Sequence, residues 1–159
     1  MAFQVAVCGP AEATETERAI AFDVGRLLAG RGAVVVCGGG TGVMAAVAAG
    51  ARSAGGLVAG VRPGPSREDA APDLDVVLAT NMGEARNAVI VWSADAVIVV
   101  GGSWGTLSEV ALAMRRGGVP VVSVAGWRVV DADGREVPGI AHVASAAEAV
   151  AMVCDGYPG

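Results

Sequence analysis

Short apolar runs recur along the chain. Each is followed by a stretch in which apolar side chains fall three or four residues apart. The first pattern is that of a strand buried on both faces, the second that of a helix with one buried side. Read this way, residues 3–8 form a strand and residues 14–29 a helix, with Ile20, Val24, Leu27 and Leu28 on one face; Gly30 and Gly32 end it. Residues 33–37 are a second strand. They lead through "GGGTG" into an Ala-rich helix that runs to about Gly55. Residues 57–61 are a third strand, and "RPGPSREDAAPD" is a loop rich in Pro and charge. Then come a short strand at 76–79, a helix at 81–92, a strand at 96–100, a helix at 106–116, a strand at 119–124 and a last helix at 145–153.

Apolar strands alternating with helices predict an α/β fold. The expected architecture is a doubly wound, mainly parallel sheet in a Rossmann-like three-layer sandwich. No boundary or repeat interrupts residues 1–159, so a single nucleotide-binding domain is expected. In residues 126–139, "GWRVVDADGREVPG", the Asp133-Gly134 pair lies between alternating apolar and polar positions and predicts a hairpin.

Composition narrows the partners. The chain has 159 residues, 53% of them apolar and only 4% aromatic, so small side chains dominate the core. A net charge of −5 without a basic tract argues against nucleic acid as a partner. No run approaches the roughly 18 apolar residues of a membrane span, and the start lacks the charged flank of a signal peptide. A cytoplasmic protein with no membrane partner is the expectation.

All eleven basic residues are Arg. Without Lys there is no Schiff base to pyridoxal phosphate and no Walker A loop. His142, the only histidine, reads as a strand-end residue. Cys8, Cys37 and Cys154 are too far apart for a zinc site, and Cys8 and Cys37 read as small core residues. Neither a metal nor a cofactor is expected.

In an open parallel sheet, ligands bind beyond the carboxyl ends of the strands. Three glycine-bearing turns fall there: Gly9-Pro10, then Gly38 to Gly42, then Gly101 to Thr106. Glycine lets backbone approach an anion, and the following helix points free N–H groups at it. The first turn, "CGPAEA", lacks the G-x-G-x-x-G of ordinary dinucleotide binding. A phosphate-bearing small molecule is therefore expected across the other two. In "VGGSWGTLSE", Thr106 and Glu109 are three apart and share a helix face. Two readings of Glu109 stand side by side. T-x-x-E is a capping box, like Thr14 with Glu17 or Ser145 with Glu148. Alternatively, the carboxylate projects beside a bound phosphate. Arg86, in "TNMGEARNAV", can reach the same place with a bidentate guanidinium.

Together these segments resemble the Lonely Guy (LOG) proteins. "GGGTGVM" at 38–44 resembles their glycine turn closed by Leu or Val and Met. "GGSWGTLSE" at 101–109 resembles their P-G-G-x-G-T-x-x-E motif. "MGEARN" at 82–87 resembles their Met segment ending in Arg-Lys, with Asn87 in place of the Lys. Val100 stands where the motif has Pro, and Trp104 is extra. These departures and the short chain are closer to a branch that includes molybdenum cofactor carrier proteins. The resemblance implies a phosphoribohydrolase that cleaves a nucleoside 5′-monophosphate to free base and ribose 5-phosphate, or a non-catalytic carrier or sensor of molybdopterin or a nucleotide. It implies Arg86 and Glu109 as catalytic groups. Gly9, Gly39, Gly40, Thr41, Gly42, Met44, Asn87, Gly101, Gly102, Ser103, Trp104, Gly105 and Thr106 would contact the ligand. It also implies a homodimer or homotetramer. Trp104 within the turn could stack on a flat ring.

Overall fold

The computed structural model describes residues 1–155. The strands are β1 (Gln4–Cys8), β2 (Val34–Cys37), β3 (Val58–Arg62), β4 (Val76–Ala79), β5 (Ala96–Val100), β6 (Val121–Val124) and β7 (Ile140–Val143). The helices are α1 (Glu15–Gly30), α2 (Val43–Ser53), α3 (Arg86–Trp92), α4 (Trp104–Arg116) and α5 (Ala146–Cys154). All seven strands lie in one sheet, in the order β4-β3-β2-β1-β5-β6-β7, and every neighbouring pair is parallel. The predicted α/β doubly wound architecture is the one observed.

Strand alternation sorts the core into two layers. Val5, Val7, Val35, Cys37, Ile98 and Val100 pack beneath α1, α2 and α5. Ala6, Cys8, Val36, Val97 and Val99 pack on the other face, beneath α3 and α4. Small residues bring two helices into backbone contact. A Cβ on Gly25 would lie 2.1 Å from the Val47 carbonyl oxygen, and one on Gly50 would lie 2.0 Å from that of Phe22. The chain runs outward from β1 in both directions, so β1 and β5 are neighbours whose connections leave to opposite sides. That reversal opens a crevice at their carboxyl ends.

Three elements differ from the sequence reading, and each matters for the site. The expected helix at 81–92 begins only at Arg86. Asn81 and Gly83 have φ of 52° and 56°, which break the helix, and Gly83–Ala85 form a 3₁₀ turn. The helix expected from 106 begins at Trp104, with Ser103 as its cap. Residues 140–143, in which only His142 had been assigned to a strand end, are β7, with His142 paired to Ser123. Four half-buried residues are too short a run to show an alternation. The hairpin is present: Val130 and Glu136 form an antiparallel bridge, and the Asp131 carboxylate accepts from the Asp133 and Arg135 amides.

Candidate functional site

The β5–α4 turn sets the site. Val100 ends a fully buried strand, and Gly101 turns the chain at φ 67°. Ser103 is extended and its hydroxyl accepts from the Thr106 amide at 3.2 Å, while its oxygen lies 3.0 Å from Thr106 Oγ1. Ser103 is therefore the helix cap, and the Thr106 N–H is already used. Glu109 lies in the second turn and cannot bond back to a cap, so of its two readings the capping box is excluded. The amides of Trp104 and Gly105 donate to no backbone carbonyl among the described residues. They point out of the positive end of a 13-residue helix.

Glu109 is 6% exposed, although it faces a cleft. Its Oε1 lies 3.8 Å from Arg86 Nη1, within ion-pair range but beyond a hydrogen bond. Burial raises its pKa from 4.5 to about 7, against the opposing pull of Arg86 and of a hydrogen bond from the Cys8 thiol. Cys8 stays protonated: burial, then the Glu109 charge, push its thiol well up. The site thus holds a buried carboxyl group whose charge changes near neutrality.

Arg86 is placed by a relay of side chains. Its Nη1 donates to Asn87 Oδ1 at 2.8 Å, Asn87 Nδ2 donates to Ser108 Oγ at 2.9 Å, and Ser108 Oγ donates to the Gly105 carbonyl at 2.7 Å. The start of α3 is thereby tied to the start of α4. The guanidinium lies over the β2–α2 turn, because Gly38 has no side chain: a Cβ there would be 2.9 Å from both terminal nitrogens. Arg86 Nε is buried with no acceptor among the described residues. A buried donor without a partner is costly, and a ligand oxygen would relieve it.

The cleft is open to solvent and has a cavity volume of about 210 Å³. Gly9, Met44, Arg86, Asn87, Ser103, Gly105, Thr106 and Glu109 line it, so the fold brings these eight candidates together. Ala11, Pro63 and Glu84 line it too and carried no signal in the sequence. The remaining candidates sit elsewhere. Gly39 and Gly40 pack against Arg62, Thr41 donates to the Ala11 carbonyl, and Gly42 sits on the Pro10 and Ala11 carbonyls. Gly101 and Gly102 border a neighbouring, much smaller cavity of about 20 Å³, lined also by Ser123 and Trp127. Trp104 is 78% exposed, with its ring edge-on to Trp127 at 5.3 Å. Among the described residues no group of three His, Cys, Asp or Glu side chains could hold a metal ion, and no helix is long and apolar enough to cross a membrane.

A parallel sheet with a reversal point, a helix N-terminus and a buried carboxylate–guanidinium pair thus meet at one cleft of a Rossmann-like fold. Residues 2–150 match the SLOG cluster4 family. The chain belongs to that family, in the LOG-like superfamily that its motifs resemble. A cytokinin riboside 5′-monophosphate phosphoribohydrolase of Mycobacterium tuberculosis is 38% identical over 68% of this chain and 62% of its own length. Among solved structures, the molybdenum cofactor binding protein of the phototrophic bacterium Rippkaea orientalis is 30% identical, with a TM-score of 0.86 over 96% of both chains. The molybdenum cofactor carrier protein of Chlamydomonas reinhardtii is 30% identical, with a TM-score of 0.84 over the same shares.

Proposed function

We propose that the protein binds a nucleoside 5′-monophosphate and hydrolyses its N-glycosidic bond to free base and ribose 5-phosphate. The observation that carries this reading is Glu109: a buried carboxylate of pKa about 7, beside Arg86, on the helix whose N-terminus faces the same cleft. The phosphate docks on the amides of Trp104 and Gly105 and the Thr106 hydroxyl. Arg86 Nε supplies a further donor. The ribose then lies over Glu109.

Breaking the bond between C1′ and the base nitrogen leaves positive charge on the ribose ring, and the ionised Glu109 stabilises it. Water adds to C1′ and passes its proton to Glu109, whose pKa suits a general base at neutrality. The departing base takes a proton from solvent. Arg86 orients the nucleotide and is no general acid, since a guanidinium does not give up its proton in proteins. The test is incubation with a panel of nucleoside monophosphates, AMP and isopentenyladenosine monophosphate included. Free base and ribose 5-phosphate are expected, and their absence across the panel ends the hydrolytic reading.

A second reading rests on the likeness to molybdenum cofactor binding and carrier proteins, which spans nearly the whole chain. In it the same cleft holds a pterin phosphate without turnover. Native mass spectrometry of the purified protein separates the two: a retained pterin at one per chain, with no cleavage of nucleotides, favours the carrier. In either role we place the protein in the cytoplasm as a homodimer or homotetramer, as a single domain.

A further inference from the structure

The β2–α2 turn carries a second cation that neither reading uses. Arg62 is the last residue of β3. Its Nη1 lies 3.1 Å from where a Gly40 Cβ would be, and its Cδ 3.2 Å from where a Gly39 Cβ would be. The two missing side chains thus make room for this guanidinium, as Gly38 does for Arg86. Met44 spans the gap between the arginines: its sulfur is at the Gly38 end beside Arg86, its methyl at the Gly40 end beside Arg62. Met44 also lines the cleft.

Arg62 is underused by the fold. Among the described residues only Arg62, Arg67 and Arg115 make no side-chain hydrogen bond or ion pair, and of these only Arg62 is not exposed. Its Nε is buried without an acceptor, the same condition as Arg86 Nε. A partly buried guanidinium with no anion costs stability unless something offsets it. In a chain of net charge −5, the unpaired Arg62 beside Arg86, whose one anionic partner is Glu109, gives this turn local positive charge. The Gly40 and Thr41 amides, which donate to no backbone carbonyl among the described residues, lie on that turn.

We infer that Arg62 is a specificity-determining residue that receives a second anionic group, so that the cleft binds a diphosphate-bearing small molecule more tightly than the corresponding monophosphate. The inference rests on the anion-binding reading of the cleft and deepens it. One phosphoryl group sits on the α4 terminus and Arg86; the next passes Met44, an unbranched and adaptable side chain, to reach Arg62.

The test is calorimetric titration of the full chain with four probes: orthophosphate, pyrophosphate, AMP and ADP. Pyrophosphate is expected to bind about tenfold tighter than orthophosphate, and ADP about tenfold tighter than AMP, as one added charge-assisted contact provides. Arg62→Met removes both margins, leaves orthophosphate and AMP affinity within about twofold, and melts no lower than the parent, since it removes an unpaired, partly buried charge. Arg62→Gln takes its place should the Met variant not fold. Equal affinities in the parent overturn the inference. So does a variant that weakens all four probes alike, which marks Arg62 as a support of the first phosphate, and so does binding of none of them. Release of base from AMP with no diphosphate margin sinks this inference alone. A pyrophosphate margin without cleavage of any nucleotide sinks hydrolysis alone.

Discussion

Two glycine turns face the same crevice and read alike, yet they are built for opposite purposes. The β5–α4 turn hands its polar groups to the helix that follows. Ser103 caps it, and Thr106 and Glu109 share its inner face. The β2–α2 turn hands over nothing polar. Its helix starts at Gly42 with no side-chain cap, at φ 63° and ψ −125°, where an added Cβ would meet the Pro10 carbonyl oxygen at 2.3 Å. Its glycines are clearances: Gly38 for the Arg86 head, Gly39 and Gly40 for Arg62, and Gly42 for the β1–α1 turn. Glycine repeats alone do not say whether a turn donates groups or makes space for them. The identity of the next few residues, and of the side chains that arrive from other strands, decides it.

The largest effect expected from breaking this contrast is on chemistry. Glu109→Gln keeps the shape of the β5–α4 site and removes its charge, so base release should fall by about 10²- to 10³-fold in steady-state assays, with the fold intact. The same substitution tests the buried charge. The carboxyl pKa is raised in the folded state, so the folded protein holds the proton more tightly than the unfolded chain. The stability this contributes is full below pH 4.5 and is lost as pH rises through about 7. At pH 8 the ionised, buried group therefore costs about 3 kcal/mol. Glu109→Gln should melt above the parent at pH 8, with the gap closing toward pH 5. Turnover in the parent should show the reverse slope, rising with pH to a plateau above about 7, since it needs the ionised form.

The next effect separates the turns by their glycines. Gly42→Ala forces a Cβ into the Pro10 carbonyl at a backbone angle L-residues avoid, and should cost about 2–3 kcal/mol in denaturant unfolding. Ser103→Ala should cost about 1 kcal/mol, the usual value of a cap. Smallest in stability is Gly105→Ala. It lies in the first turn of α4, where a Cβ meets only Ser103 Oγ at 3.8 Å. Its melting should hold or rise by up to about 1 kcal/mol, while nucleotide affinity drops because the methyl group enters the cleft. A Gly42→Ala protein as stable as the parent, or a Gly105→Ala protein that binds as well, would dissolve the distinction.

The split between what could and could not be read from the chain follows the range of the interactions. Strands β1, β2, β3 and β5 are continuous apolar runs that only a doubly covered sheet can bury, so their pattern is decisive by itself. The Thr14–Glu17 capping box was equally plain, because both bonds are local. At Thr106 the same local signature left two readings open; the helix instead begins at Trp104 with Ser103 as its cap, which leaves Glu109 in the second turn. The start of α3 was set too early because Asn81, a residue that tolerates φ above zero, adopts it here.

What the amino-acid order determined unaided is the alternation of elements and the parallel sheet they require. It also placed Glu109 and Thr106 on one helical face, since that needs only 3.6 residues per turn. Only the tertiary structure decided that Cys8 touches Glu109, that Arg86 and Arg62 share one turn, and that Trp104 faces solvent. Those facts depend on strands distant in sequence lying side by side. Burial and electrostatics act through that proximity, and no local pattern encodes it.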